Sequence, residues 1–295
     1  MATTNIPSGM VTARPALRSR RLPRVLRTRL AVPSLLWIVV VIVSAVFSGV
    51  LAPYDPFRQD YKHVLEPPSA AHLLGTDDIG RDVLSRIIYG SRVSASVGLV
   101  AVGIALAIGV PLGLIAAYRG GWLDDVIMRV MDALSAFPPL LLALGITAAL
   151  KPGLLNVMIA IGVVSIPQFA RLVRSQALSV REMEYVNAAR LIGVGPLRLI
   201  ALHIWPNCTA PIIVQASLRV AVAIVTEATL GFLGAGVPLP TPSWGSMLRT
   251  SYQYTEQAPW LALFPGAAIF LTVLAANLLG DALRSALDPR MRGRE

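Results

Sequence analysis

Among the stretches of this sequence that contain no charged residue are 30–54, 93–118, 133–150 and 152–170. Each is 18 to 26 residues long and predominantly apolar, and about 20 apolar residues in a helix cover the ~30 Å of hydrocarbon in a bilayer. No globular core needs uninterrupted runs of that length, so they read as membrane spans. The whole chain agrees. Over 295 residues it is 55% hydrophobic and 14% charged, with a mean hydropathy of +0.66, which excludes a water-soluble enzyme. A single cysteine, Cys208, forms no internal disulfide, and no Cys or His cluster of metal-binding spacing surrounds it.

Six spans fit, at about 33–52, 94–118, 131–150, 154–170, 208–234 and 260–281, so the expected fold is an all-α polytopic membrane protein of six transmembrane helices. The first run is too long for a signal-peptide core and lacks a small-x-small cleavage pattern after it, so it is expected to stay attached. An even number puts both ends on one side. Lysine and arginine counts agree with this, with eighteen on the proposed cytoplasmic side, seven outside, and Arg219 within span five. Seven of the eighteen are arginines in residues 1–29, which hold no acid and no aromatic. Without stacking residues or a reading motif this tail is not a nucleic-acid arm; its charge orients the chain against membrane lipid.

The expected division is a basic tail 1–30, a first helix 31–52, an outer loop 53–92, a core of five helices 93–284 with a cytoplasmic loop 171–206, and a tail 285–295. In the outer loop Val83, Leu84, Ile87 and Ile88 form an apolar stripe opposite Asp82 and Arg86, which predicts a short helix on the membrane surface or one packed beneath the loop. Pro238, Pro240 and Pro242 predict an ordered, extended turn in the second outer segment. Gly109-x-x-x-Gly113 in span two allows two helix backbones to approach closely.

The loop 171–206 is more than a connector. Residues 181–192 form helices well, Gly193 and Gly195-Pro196 break the run, and a second apolar helix follows to Trp205-Pro206. Helix, glycine turn and returning helix predict a surface knob, and Ala188 and Ala189 give it a face small enough for a partner's groove. A re-entrant hairpin that only spaces two helices is the alternative. Within spans, Arg219 and Glu227 lie eight residues apart, which on a helix is ~12 Å of rise and ~80° of rotation, too far round to pair with each other. Buried charges of this kind pair structurally, line a path or meet a partner membrane chain.

No phosphate-binding G-x-x-x-x-G-K-[ST] occurs, and the only lysines, Lys62 and Lys151, fall outside, so nucleotide hydrolysis has no machinery in this chain. His63, His72 and His203 are scattered in sequence and away from any serine nucleophile pattern. No cofactor and no metal is expected to be bound.

The segment Asn187-Ala188-Ala189-Arg190-Leu191-Ile192-Gly193, followed by His203-Ile204-Trp205-Pro206, resembles the E-A-A-x-x-x-G…I-x-L-P loop of ABC importer permeases, with Asn187 in place of the glutamate. Glu184 begins the EYVxAAR variant of this loop. LGTDDIGRDVLSRIIYGSRVS (74–94), EATLGFLGAG with PTPSWGSML (227–248) and NLLGDALRSALDPR (277–290) are similar to the dipeptide/oligopeptide/nickel permeases of the DppC and OppC type. The resemblance implies a type I ABC importer permease fold in a bacterial cytoplasmic membrane, working with a second homologous permease of the DppB/OppB type, two cytoplasmic ATPases and an external substrate-binding protein. It makes Glu184, Asn187, Ala188, Ala189, Gly193 and Pro206 the ATPase-coupling residues. An ion-coupled secondary transporter, which needs midplane carboxylates, is the rival reading, and only Glu227 lies well inside a span.

Overall fold

The computed structural model describes residues 30–287, which hold eleven α-helices and no strand. The tail 1–29 and residues 288–295 lie outside the described residues. The bundle is built on a central pair, α3 (Val83–Arg119) and α6 (Leu154–Arg181). Their closeness comes from glycine: a Cβ at Gly109 would sit 2.9 Å from the Ile166 carbonyl, one at Gly113 2.5 Å from that of Ala170, and one at Gly162 2.9 Å from the Ile104 side chain. In lipid no hydrophobic effect drives helices together, so dispersion across such a backbone-to-backbone seam must do it.

Around this pair stand α9 (Trp205–Phe232) and α11 (Trp260–Leu287). The slender α1 (Ala31–Val46), continued after Phe47 by α2 (Ser48–Leu51), leans on α3 and α11. The Trp37 indole donates to the Thr272 hydroxyl at 3.1 Å, while Leu36, Val39 and Val40 are exposed. Exposed aliphatic side chains are the expected outer surface of a chain whose solvent is lipid.

Among the described residues four helices are long and apolar enough to cross a membrane: α3, α6, the run Pro196–Phe232 and α11. The third expected span is not straight. It is divided into α4 (Gly121–Ala136) and α5 (Pro139–Leu150), bent by 92°. Phe137 and Pro138 are extended, with ψ of 139° and 128°, because a residue preceding proline is pushed out of the helical region, and Pro138-Pro139 imposes this twice. Counted as one, the pair brings the candidate spans to five, and α1 is apolar but only 16 residues long.

The outer loop also differs from expectation. Residues 83–92 are not a separate surface helix but the first turns of α3. Asp82 and Arg86, expected on a polar face, are both only 3% exposed. The polar face is buried because it finds partners. The Asp82 carboxylate caps α3, accepting from the Ser85 amide at 2.8 Å. Arg86 lies 3.4 Å from Asp77 and donates to the Pro56 carbonyl. The triple-proline turn is followed by an unforeseen helix, α10 (Trp244–Tyr252), begun by a reciprocal capping box between Ser243 and Ser246. Trp244 anchors it, 2% exposed and donating to the Ile87 carbonyl of α3 at 3.0 Å.

Candidate functional site

At the end of the bundle where α3 meets α4, α6 does not stop with its apolar run but continues as a helix to Arg181, so the expected loop 171–206 begins inside a helix. Three arginines on this extension grip neighbouring helices. Arg171 reaches Asp132 at 3.2 Å and the Ser135 hydroxyl at 2.8 Å on α4. Arg174 makes a two-pronged bond to Asp124 with both distances 2.6 Å. Arg181 donates at 2.7 Å to the Ala117 carbonyl near the end of α3, where the orphan carbonyls of a helix C-terminus favour a cation. Counting charges by side of the membrane registers these arginines only as orientation signals; their bracing role emerges from the fold.

The braced extension carries a knob. After a break at Glu182 and Met183 comes α7 (Glu184–Leu191), then Gly193 in the left-handed conformation (φ 81°), and α8 (Pro196–Leu199). Val186 and Ala189 turn inward and pack with Val173, Ala177 and Val180 of α6 and with Leu199, Ile204 and Cys208. Glu184, Asn187 and Ala188 lie on the exposed side. The two alanines, expected to share one small face, differ in burial: about 100° apart on the helix, Ala189 packs inward and Ala188 is exposed. What the exposed side offers is apolar bulk at its tip: Leu191, Ile192 and Leu197 are 88%, 82% and 84% exposed.

The returning helix does not end at Trp205-Pro206. It passes through a π-helical turn, Ile200–Ile204, directly into α9. Pro206 has no N–H to give the preceding turn, and widening the ladder before it accommodates the missing donor. Pro206 is thus an exposed residue of a continuous helix, and it sits close to the knob: the Tyr185 hydroxyl of α7 reaches the His203 carbonyl at 3.4 Å, which also accepts from Asn207 at 2.7 Å.

Arg219 and Glu227, the charges within α9, do not pair with each other. Glu227 is completely buried, accepts from the Ser94 hydroxyl of α3 at 3.3 Å, and has its second oxygen without a hydrogen-bond partner among the described residues. Arg219 is half-buried with no carboxylate at ion-pair distance among those residues.

At the opposite end, 74–82 folds into a compact ionic turn. Asp77 accepts from the Ile79 and Arg81 amides and from the Arg81 guanidinium at 2.7 Å, with both side chains 7% exposed. His72 joins Asp82 at 2.9 Å. It lies with its ring centroid 6.3 Å from that of His63, a proximity the scattered histidines did not suggest.

This helical arrangement is the fold of an ABC transporter membrane subunit. It superposes on an inward-facing structure of the MetNI methionine ABC transporter with a TM-score of 0.58 at 17% identity, covering 69% of this chain and 96% of the other. Residues 109–293 match the family described as binding-protein-dependent transport system inner membrane component, and residues 19–68 match the N-terminal TM domain of oligopeptide transport permease C. The chain belongs to this family of ABC importer permeases. It is 48% identical to the dipeptide transport system permease protein DppC of Alkalihalophilus pseudofirmus over 90% of this chain and 88% of that one. Identity is 47% to the di/tripeptide permease DppC of Pseudomonas aeruginosa, covering 89% and 88%, and 44% to the glutathione permease GsiD of Pectobacterium atrosepticum, covering 91% and 90%.

Proposed function

We propose that this chain is one half of the translocation path of an ATP-driven importer of short peptides in a bacterial cytoplasmic membrane. Its partners are a second homologous permease, two cytoplasmic ATPases and an external substrate-binding protein. Six crossings with both ends cytoplasmic are obtained if α1 with α2 makes the first and the bent α4–α5 pair the third. At 12 residues α5 is ~18 Å long, too short to cross alone. The lysine and arginine asymmetry supports this orientation.

The observation that carries the reading is the braced knob. Glu184, Asn187, Ala188, Ala189, Gly193 and Pro206 belong to it or to the helix it leans on, and its exposed Leu191 and Ile192 form an apolar tip suited to a groove on the ATPase. Arg171, Arg174 and Arg181 tie the knob's supporting helix to α3 and α4, so a displacement of the knob is passed to the central pair instead of being absorbed by a loose loop. ATP is bound and hydrolysed by the ATPase chains, and this chain needs no cofactor. Glu227 and Arg219 serve packing or the contact with the partner permease.

The test uses the complete transporter in proteoliposomes. Leu191→Asp with Ile192→Asp removes two side chains each worth about 1.5–3 kcal/mol when buried, and the ATPases are expected to fall away on copurification while membrane insertion persists. Parent uptake is expected to need ATP and to survive collapse of ion gradients, and Glu227→Gln to retain most of it. Uptake that follows an ion gradient and ignores ATP would overturn the proposal.

A further inference from the structure

At the end of the bundle opposite the knob, where α9 ends and α10 begins, lies an open pocket of about 370 Å³. Two opposite charges line it, Asp78 from the ionic turn and Arg249 from α10, together with Gln253, Gly234, Val237 and Leu239. The charges are not partners: no ion pair at 4.0 Å or less joins them, and Arg249 has no such pair with any described residue.

Each charge is held in place but under-used. Asp77 takes up the nearby donors, namely two backbone amides, the Arg81 guanidinium at 2.7 Å and Arg86 at 3.4 Å. Asp78 is left with one long approach from Arg81 at 3.6 Å, and one of its oxygens is buried with no hydrogen bond among the described residues. Burial and the neighbouring Asp77 carboxylate push the Asp78 carboxyl above its usual range, the mark of a negative charge that lacks sufficient compensation. The Arg249 guanidinium lies directly against Gly234, whose φ of 83° and missing side chain leave it room; any Cβ there would collide with it. Among the described residues its donors have no acceptor, so they can meet one entering the pocket.

We infer that this pocket receives the free peptide as a zwitterion, Asp78 taking the α-ammonium, Arg249 the α-carboxylate and Gln253 an intervening amide, with Val237 and Leu239 as its apolar wall. Fixed charges of opposite sign held apart in one cavity complement a molecule whose two ends carry opposite charges, and they leave the side chains between them unread. The inference rests on the peptide cargo proposed above and adds a recognition step in the permease itself.

The experiment is saturation-transfer NMR on the permease pair with its ATPases in lipid nanodiscs, with no binding protein present. Dialanine is the probe, and acetyl-dialanine-amide, which lacks both end charges, is the control. Dialanine is expected to give signal and the blocked peptide none. Asp78→Asn or Arg249→Gln should each weaken dialanine binding about tenfold, the effect of losing one charged hydrogen bond. The parent comparison of free and blocked peptide involves no substitution, so misfolding of a variant cannot hide the answer. Absence of dialanine signal in the parent, equal signals for both peptides, or undiminished binding in both variants would each overturn the site. ATP-driven uptake is measured separately, so failure of the site leaves the transport reading standing, and failure of ATP dependence leaves the binding result interpretable.

Discussion

Two glycines of α3 separate the cost of parting the central helices from the intrinsic effect of glycine on a helix. Gly103 and Gly113 both lie in the interior of the 37-residue α3. A Cβ at Gly103 meets nothing within 4 Å, whereas one at Gly113 falls 2.5 Å from the Ala170 carbonyl oxygen and 2.9 Å from the Val173 Cβ. Ordinary contact begins near 3.5 Å, so Gly113→Ala requires α3 and α6 to part by about 0.5–1 Å, which forfeits roughly a quarter to a half of each dispersion contact along the seam. Overpacking of this kind costs about 1–3 kcal/mol. Against it stands the gain of about 1 kcal/mol that alanine brings over glycine in a helix interior, which both substitutions share. Gly103→Ala is therefore expected to be neutral or stabilising by up to about 1 kcal/mol, and Gly113→Ala to lie roughly 1–3 kcal/mol below it. Reversible unfolding of the two variants in mixed SDS micelles, followed by tryptophan fluorescence, measures the difference. Equal stabilities would refute the claim that the glycine seam holds the central pair together.

The ionic turn predicts opposite outcomes for adjacent acids. Asp77→Asn strips partners from the buried Arg81 and Arg86 and is expected to cost about 3–5 kcal/mol, whereas Asp78→Asn should leave thermal stability at neutral pH unchanged or raised. The sign follows from linkage: the folded protein holds the Asp78 proton more tightly than the unfolded chain, so this group lowers stability as pH rises above 3.8 through its raised folded value, and asparagine removes that slope. For topology, single cysteines at Leu191 and Tyr252, which are 88% and 76% exposed at opposite ends of the bundle, are expected to label from opposite sides of the membrane; labelling of both from the outside would contradict the proposed orientation.

The sequence by itself determined the class of this protein. Charge-free runs long enough to span a bilayer, an arginine bias to one side, and a helix-glycine-helix loop are local features, each set by what a short stretch of chain does in lipid or water. The Gly109 and Gly113 spacing announced a close approach, though not that α6 would be the partner. Only the tertiary structure decided how those segments end and what their charges do. Asp82 and Arg86 read as a polar face because nothing local shows that His72 will reach Asp82 or that Pro56 and Asp77 will meet Arg86. Arg171, Arg174 and Arg181 read as orientation signals because their partners on α3 and α4 are 36 to 64 residues distant in sequence. The alanines at 188 and 189 read as one small face because only packing against α6 and α9 fixes which side of α7 is buried. Periodicity along a chain reports which segments leave water, but a polar group is buried only where a distant segment supplies its partner, and that pairing exists only once the helices have packed.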